Sequence, residues 1–341
     1  MPSDAREARL AKRPELARSE TVQAIPAACS DERAAYEFVE RQRWGDCPNC
    51  PNCPNCPHCG SVAVYQMANT DGTGGRNKRF LWRCRDCKKQ FTVRIGTVFE
   101  DSRLPLRHWC YAFWRASTSK KGVSALEIMR QCQISYKSAL FLLHRVRFAM
   151  APDPAKAEPL TGTVECDETY VGGKPRKGHG QPRPKRGRGT KKTPVFAMIQ
   201  RDGSVRAQVM PTVNVKNIKA ALEQHVAPTA RIVTDSLPPY KPATKGFASH
   251  ESVNHAAGEY ARGDVHTNTI EGFFSLIKRG IYGVYHNVSK EHLHRYLAEL
   301  EFRHNHRKSN DGDRVTAAIQ AAEGKRLVYR ASVKQGELPL A

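Results

Sequence analysis

The sequence predicts an α/β or α+β domain in its C-terminal half, preceded by a small cysteine-bearing β unit and a helical segment. Three observations carry that prediction. Residues 161–235 read as three strands, a helix and a strand, and residues 267–307 as two helices, an order that builds a sheet with helices packed on it. Two Cys-x-x-Cys pairs bracket a stretch of alternating residues between positions 56 and 87. Residues 106–150 switch to the apolar spacing of helices.

The 341 residues suffice for two or three small domains. Hydrophobic residues at 40% and aromatics at 8% allow a packed core. The 55 Lys and Arg against 33 Asp and Glu leave a formal charge of +22, which points to a polyanionic partner, nucleic acid first. No stretch holds the ~20 apolar residues that span a bilayer. The first twenty residues are polar, so no secretory signal is expected. Of 11 cysteines, seven lie between Cys47 and Cys87. That crowding fits a local metal site in a reducing cytoplasm better than a disulfide scaffold.

Residues 1–45 read as a charged, partly helical and loosely attached segment, with a helix over 31–44. Residues 46–100 read as a zinc ribbon. Cys56-Pro-His-Cys59 and Cys84-Arg-Asp-Cys87 supply four thiolates, with 24 residues between Cys59 and Cys84. Four thiolates suit tetrahedral Zn²⁺ as a structural cofactor. Phe80, Trp82 and Phe91 offer the small core that such a ribbon needs. The tract from Cys47 repeats Cys-Pro-Asn, placing Cys47, Cys50, Cys53 and Cys56 at period three. Cys56 with Cys59 is favoured because Gly60 follows; a register using Cys53 with Cys56, or a second metal, stays open. Cys29, Cys110, Cys132 and Cys166 read as small buried residues.

Residues 101–150 read as helical and resemble a helix-turn-helix. Ser124 and Ser135 are the expected caps of two helices with a turn near 133–135. The second helix is the candidate for the major groove. Lys137 near its start, and Arg145 and Arg147 near its end, are candidate DNA contacts; an ordinary helical hairpin is the alternative. Residues 151–160 are Pro/Ala-rich and read as a linker, residues 161–310 as the α/β domain and residues 311–341 as a tail.

Three acids stand where metal chemistry needs them. Asp167 lies on the first strand of the α/β domain, where alternation puts it on one face with Glu165 and Thr169. Asp235 ends a later strand, the position at which α/β sheets place ligand sites. Glu271 opens a helix, with Lys278 two turns on and Asn268 one turn back on the same face. Phosphoryl transfer with two Mg²⁺ or Mn²⁺ ions calls for several converging carboxylates, because the ions must share oxygen ligands about 3.5–4 Å apart.

The chain resembles the bacterial insertion-sequence DDE transposases that carry an N-terminal zinc ribbon. The carriers, in order, are CPHCG, CRDCKKQFTVRIGTVFEDSRLPL, KKGVSALEI, SYKSALFLLHRVRFAM, VECDETYVGGK, IVTDSLPPY and HTNTIEGFFSLIKRGIYGVYHNVSKEHLHRYLAELEFRHNHR. They extend from about Trp44 to Arg307. The resemblance implies a ribonuclease-H-like catalytic core with Asp167, Asp235 and Glu271 as the metal-binding triad and Lys278 on DNA. Some relatives place an Asn at the third position, which makes Asn268 the alternative to Glu271. Glu271 is preferred because its charge makes it the better Mg²⁺ ligand. The implied activity is cleavage of the ends of the element and their transfer to target DNA, by a homodimer or larger assembly. A non-catalytic DNA-binding regulator and a structure-specific nuclease are the competing readings. The basic insert 172–192 carries nine Lys and Arg and no acid. It reads as a loop that clamps DNA phosphates through Lys174, Lys185, Arg186 and Arg188, beside Lys278 and Arg279 on the later helix.

Overall fold

The computed structural model describes residues 20–45, 55–70, 75–154, 156–172 and 192–327. Cys47, Cys50 and Cys53 of the repeat, and the clamp candidates Lys174, Lys185, Arg186 and Arg188, lie outside the described residues.

Helices α1 (Glu20–Ser30) and α2 (Glu32–Trp44) come first. Asp31 begins α2 because its carboxylate accepts the Ala34 N–H at 2.7 Å, satisfying a donor that the first turn leaves open. A three-stranded antiparallel ribbon follows, β1 (Val64–Gln66), β2 (Trp82–Cys84) and β3 (Gln90–Phe91). Trp82 and Phe91 pack edge-on against Trp44, with ring centroids 5.7 and 6.4 Å away, and Phe80 stacks on Tyr36. The ribbon therefore gains its core partly from α2.

Helix α3 (Leu106–Thr118) precedes α4 (Ala125–Cys132) and α5 (Tyr136–Met150). Both expected caps are present: Ser124 Oγ accepts from Glu127 N and Ser135 Oγ from Ser138 N, each at 3.1 Å. Gln133 takes the left-handed conformation that stops α4.

The α/β domain holds β4 (Thr163–Val171), β5 (Thr193–Gln200), β6 (Val205–Val209), α6 (Val215–His225), β7 (Arg231–Asp235), α7 (Tyr240–Ala243), β8 (Ser249–Val253), the short pair β9 (Ala261–Arg262) and β10 (Val265–His266), then α8 (Asn268–Gly280) and α9 (Leu293–Asn305). Its five-stranded sheet runs β6-β5-β4-β7-β8. β5 and β6 are antiparallel to their neighbours, whereas β7 and β8 run parallel to β4. That is the ribonuclease-H-like order, with the first strand in the middle. Alternation along β4 and β5 feeds two cores. Val164, Cys166, Phe196 and Met198 meet Ile218, Leu222 and Tyr240 on one face. Val195, Ala197 and Ile199 meet Ile270, Phe273, Ile277 and Leu297 on the other. Each buried Val, Leu, Ile, Phe or Met among them contributes about 1.5–3 kcal/mol.

One expectation changes. Residues 311–320, expected in a tail, form a helix, α10 (Asp311–Gln320), capped by Asn310 and packed against α1, α2 and α3. Two compact units result. Among the described residues, one comprises 20–118, 141–149 and 307–327, and the other 119–140 and 150–306. The N-terminal helices are thus integral to the ribbon unit rather than loosely attached. No helix among the described residues is long and apolar enough to cross a membrane.

Candidate active site and metal centre

In the ribbon the Sγ atoms of Cys56, Cys59, Cys84 and Cys87 all lie within 4.8 Å of one another. Cys56 and Cys87 stand 3.5 Å apart, and Cys59 and Cys84 3.7 Å. Zinc–thiolate bonds of about 2.3 Å in a tetrahedron put sulfurs roughly 3.8 Å apart, so the donor set fits Zn²⁺. The turn of the first knuckle closes through Gly60, whose N–H reaches Cys56 O at 2.8 Å from a φ of +77°. A side chain there would be strained, which is why the glycine marks the knuckle. These four thiols complete a tetrahedral set without Cys53.

The carboxylates converge by register. β4 and β7 pair in parallel with Glu165 opposite Val233, so Asp167 and Asp235 come two residues further along adjacent strands, on the same face. Glu271 enters from α8. It lines a cleft of about 820 Å³ together with Asp167, Glu168, Lys121, Lys278 and Arg279. Asp235 and Asn268 do not line that cleft. Asn268 is the exposed first residue of α8, and its N–H points to His266 Nδ1 at 3.4 Å.

Electrostatics tie the acids together. Burial pushes Asp167 up to about 8, helped by the negative charges of Glu168, Asp235 and Glu271 and opposed by the hydrogen bond from Glu168 N. Burial and three neighbouring carboxylates thus hold this carboxyl far above its usual range. All the donors are hard oxygens, which fits a divalent ion of the Mg²⁺ class. The carboxylates are not drawn together as tightly as the thiols; among the described residues only the cysteines bring three or more ligand atoms within 4.8 Å.

Two supporting features escaped the sequence reading. Glu165, wholly buried, sits at the head of α8. It accepts N–H bonds from Thr269 at 2.9 Å and Ile270 at 3.0 Å, takes the Thr269 hydroxyl at 2.9 Å, and pairs with Arg201 at 2.8 Å. A carboxylate at a helix N-terminus satisfies open donors and the dipole together, so Glu165 fixes the helix that carries Glu271. Its alternation with Asp167 was visible in sequence; its helical partners, about a hundred residues away, were not. The second feature brings Lys121 to the cleft. A Cβ on Gly122 would meet Tyr285 Oη at 2.0 Å, and Gly122 has a φ of +99°. Only glycine admits this approach. Tyr285 Oη in turn donates to Glu299 at 2.6 Å, and Glu299 pairs with Arg303.

Of the expected DNA contacts, Lys278 and Arg279 line the cleft and Lys137 is exposed at the start of α5. Arg145 and Arg147 are buried at 3% and 1% exposure, which removes them as phosphate contacts. Arg145 instead donates to Glu100 O at 2.7 Å and lies over Trp109 and Phe141.

Comparison with known proteins decides the class. Residues 159–305 match the ISXO2-like transposase domain and residues 30–90 the transposase zinc-ribbon domain. A protein of the transposable element ISH50 of Halobacterium salinarum is 32% identical over 291 residues, covering 80% of this chain and 90% of that one. The chain belongs to the ISXO2-like transposase family. Membership makes this transposase an enzyme of polynucleotidyl transfer that uses a divalent metal ion, with a structural zinc in its ribbon. Among solved structures, the Mos1 strand transfer complex is 14% identical, over 60% of this chain and 74% of that chain. A pre-cleavage Mos1 transpososome is 13% identical, over 60% and 75%. Both have a TM-score of 0.26, too low to establish a common fold.

Proposed function

We propose that this transposase binds the terminal repeats of its own element, cuts the strands there and joins the freed 3′ ends to target DNA. Asp167, Asp235 and Glu271 are the ligands of the divalent ions, with Mg²⁺ preferred and Mn²⁺ accepted. The observation that carries this reading is the parallel register that sets Asp167 beside Asp235, with Glu271 and Lys278 facing the same cleft as Asp167. When bound, such ions lower the pKa of an attacking water or 3′-hydroxyl and offset charge on the leaving oxygen. Asp167 and Asp235 offer oxygens from a rigid sheet, and Glu271 from a helix pinned by Glu165. Lys278, Arg279 and Lys121 hold the phosphates of the strand, with Lys137 contacting DNA at the start of α5. The basic insert, through Lys174, Lys185, Arg186 and Arg188, adds affinity without reading sequence. Handling two ends together calls for a homodimer or larger assembly, acting in the cytoplasm on chromosomal DNA.

The test is purified protein with labelled DNA from the ends of its own element, with Mg²⁺ or Mn²⁺, beside Asp235→Ala. Metal-dependent cleavage and joining absent from the variant is the expected result. Cleavage without joined products would make this a nuclease. Specific binding without cleavage by either protein would make it a regulator.

A further inference from the structure

The ribbon unit holds a second cleft, of about 530 Å³, for which strand cleavage and joining have no use. Four arginines line it, Arg79, Arg94, Arg103 and Arg107, against a single acid, Glu32. That acid is committed internally. Its carboxylate accepts the N–H groups of Leu106 at 2.7 Å and Arg107 at 3.1 Å, where α3 begins, and meets Arg94 at 3.4 Å.

Arg94 is committed as well. It donates to the carbonyls of Ser102 at 3.1 Å and Leu104 at 2.9 Å, and to Tyr36 Oη at 2.9 Å. These bonds brace the loop on which Arg103 sits and from which α3, with Arg107, begins. The side chains of Arg79, Arg103 and Arg107 have no hydrogen-bond or ion-pair partner among the described residues. These three positive charges line one concavity, and a polyanion laid along it meets all three. Guanidinium groups match phosphate oxygens in geometry and keep their charge at any working pH.

We propose that this cleft binds the sugar–phosphate backbone of duplex DNA, with Arg79, Arg103 and Arg107 as the phosphate contacts and with Arg94 and Glu32 holding the loop in place. The site is separate from the carboxylate cleft, and it rests on DNA being the partner of this transposase.

The experiment measures binding of the full chain to labelled duplex from the element end over a range of salt, without added divalent cation, so that no strand is cut. Wild type is compared with the triple variant Arg79→Gln, Arg103→Gln, Arg107→Gln. An equal-charge control changes the exposed Lys216, Lys241 and Lys245 to Gln. Each phosphate that the protein no longer neutralises lowers the slope of log affinity against log salt by about 0.9, so the triple variant should drop by roughly 2–3 units of slope and about tenfold or more in affinity at low salt. The control should keep both. An unchanged slope in the triple variant, or an equal drop in the control, overturns the proposal. If the triple variant melts early, Arg103→Gln alone carries the test, with an expected fall in slope of about 0.9. Wild type that binds no duplex sinks the DNA-partner reading itself, and this proposal falls with it.

Discussion

The ribbon and the carboxylate cleft are two candidate metal centres built on opposite plans. In the ribbon four sulfurs already stand at the separations of a zinc tetrahedron, on two tight knuckles joined by a short sheet. In the cleft the acids stay further apart, and their charges push Asp167 up to about 8 after burial has done the larger part. A closed set of soft donors holds its ion as part of the fold. An open set of hard donors holds its ion only while there is work for it, leaving positions for water and substrate. The cost of disturbing each centre should therefore appear in different measurements.

The largest effect is expected at the ribbon. Structural zinc in small ribbons supplies on the order of 10 kcal/mol of coupled folding energy, so chelation or Cys84→Ser should open the ribbon to proteolysis, read as early cleavage within residues 46–100. A ribbon that resists protease without zinc would break the comparison. Next, Asp167→Asn should abolish strand cleavage, by about a thousandfold or more, while the melting temperature stays level or rises, because the neutral amide avoids the cost of burying or protonating a carboxylate there. A variant that melts early would mean that Asp167 is also a structural acid.

A smaller effect tests how Lys121 reaches the cleft. Gly122→Ala puts a methyl 2.0 Å from Tyr285 Oη and should cost about 1–3 kcal/mol of stability, with Tyr285→Phe in the same chain restoring part of it. Thermal melting of the two variants decides. The smallest effect comes from Glu301, a buried carboxyl whose rise owes nothing to acidic neighbours. Burial pushes it up to about 7, against the opposing pull of Arg206 and the Ala207 N–H. A carboxyl raised when folded favours the fold below about pH 4.5 and loses that contribution as pH climbs through about 7. Wild type should therefore lose a few degrees of melting temperature between pH 5 and 7.5, and Glu301→Gln should flatten that loss without changing metal dependence. Equal slopes in the two proteins would remove Glu301 as its source.

Much of this was legible in the sequence where local pattern and tertiary demand agree. The apolar runs around Val164, Phe196 and Ile232 became the central strands because both faces of the sheet are covered. The knuckles and both serine caps declared themselves through local chemistry. β8 escaped because Ser249–Val253 lies at the edge of the sheet and carries mostly polar residues. α10 escaped although Val315, Ala318 and Ile319 keep helical spacing behind the Asn310 cap, since its acidic first turn resembles a solvated tail. Arg145 and Arg147 misled for the converse reason: cations near a helix end suggest DNA, but packing against Trp109 and Phe141 takes the Arg145 side chain inward. The Glu165 cap and the Gly122–Tyr285 contact depend on pairs more than a hundred residues apart, and nothing local encodes them.

Helix α10 also sets a schedule for synthesis. The ribbon unit draws its last helix from residues made after the whole carboxylate-bearing sheet. On the ribosome, the strands bearing Asp167 and Asp235 and the helix bearing Glu271 all emerge before the surface of α1, α2 and α3 that α10 covers can be closed. A message cut short just after α9 would yield a protein with all three proposed ligand carboxylates and an open ribbon unit, whose exposed apolar seam invites degradation. Completion of the ribbon unit thus comes last, after the carboxylate-bearing unit already exists.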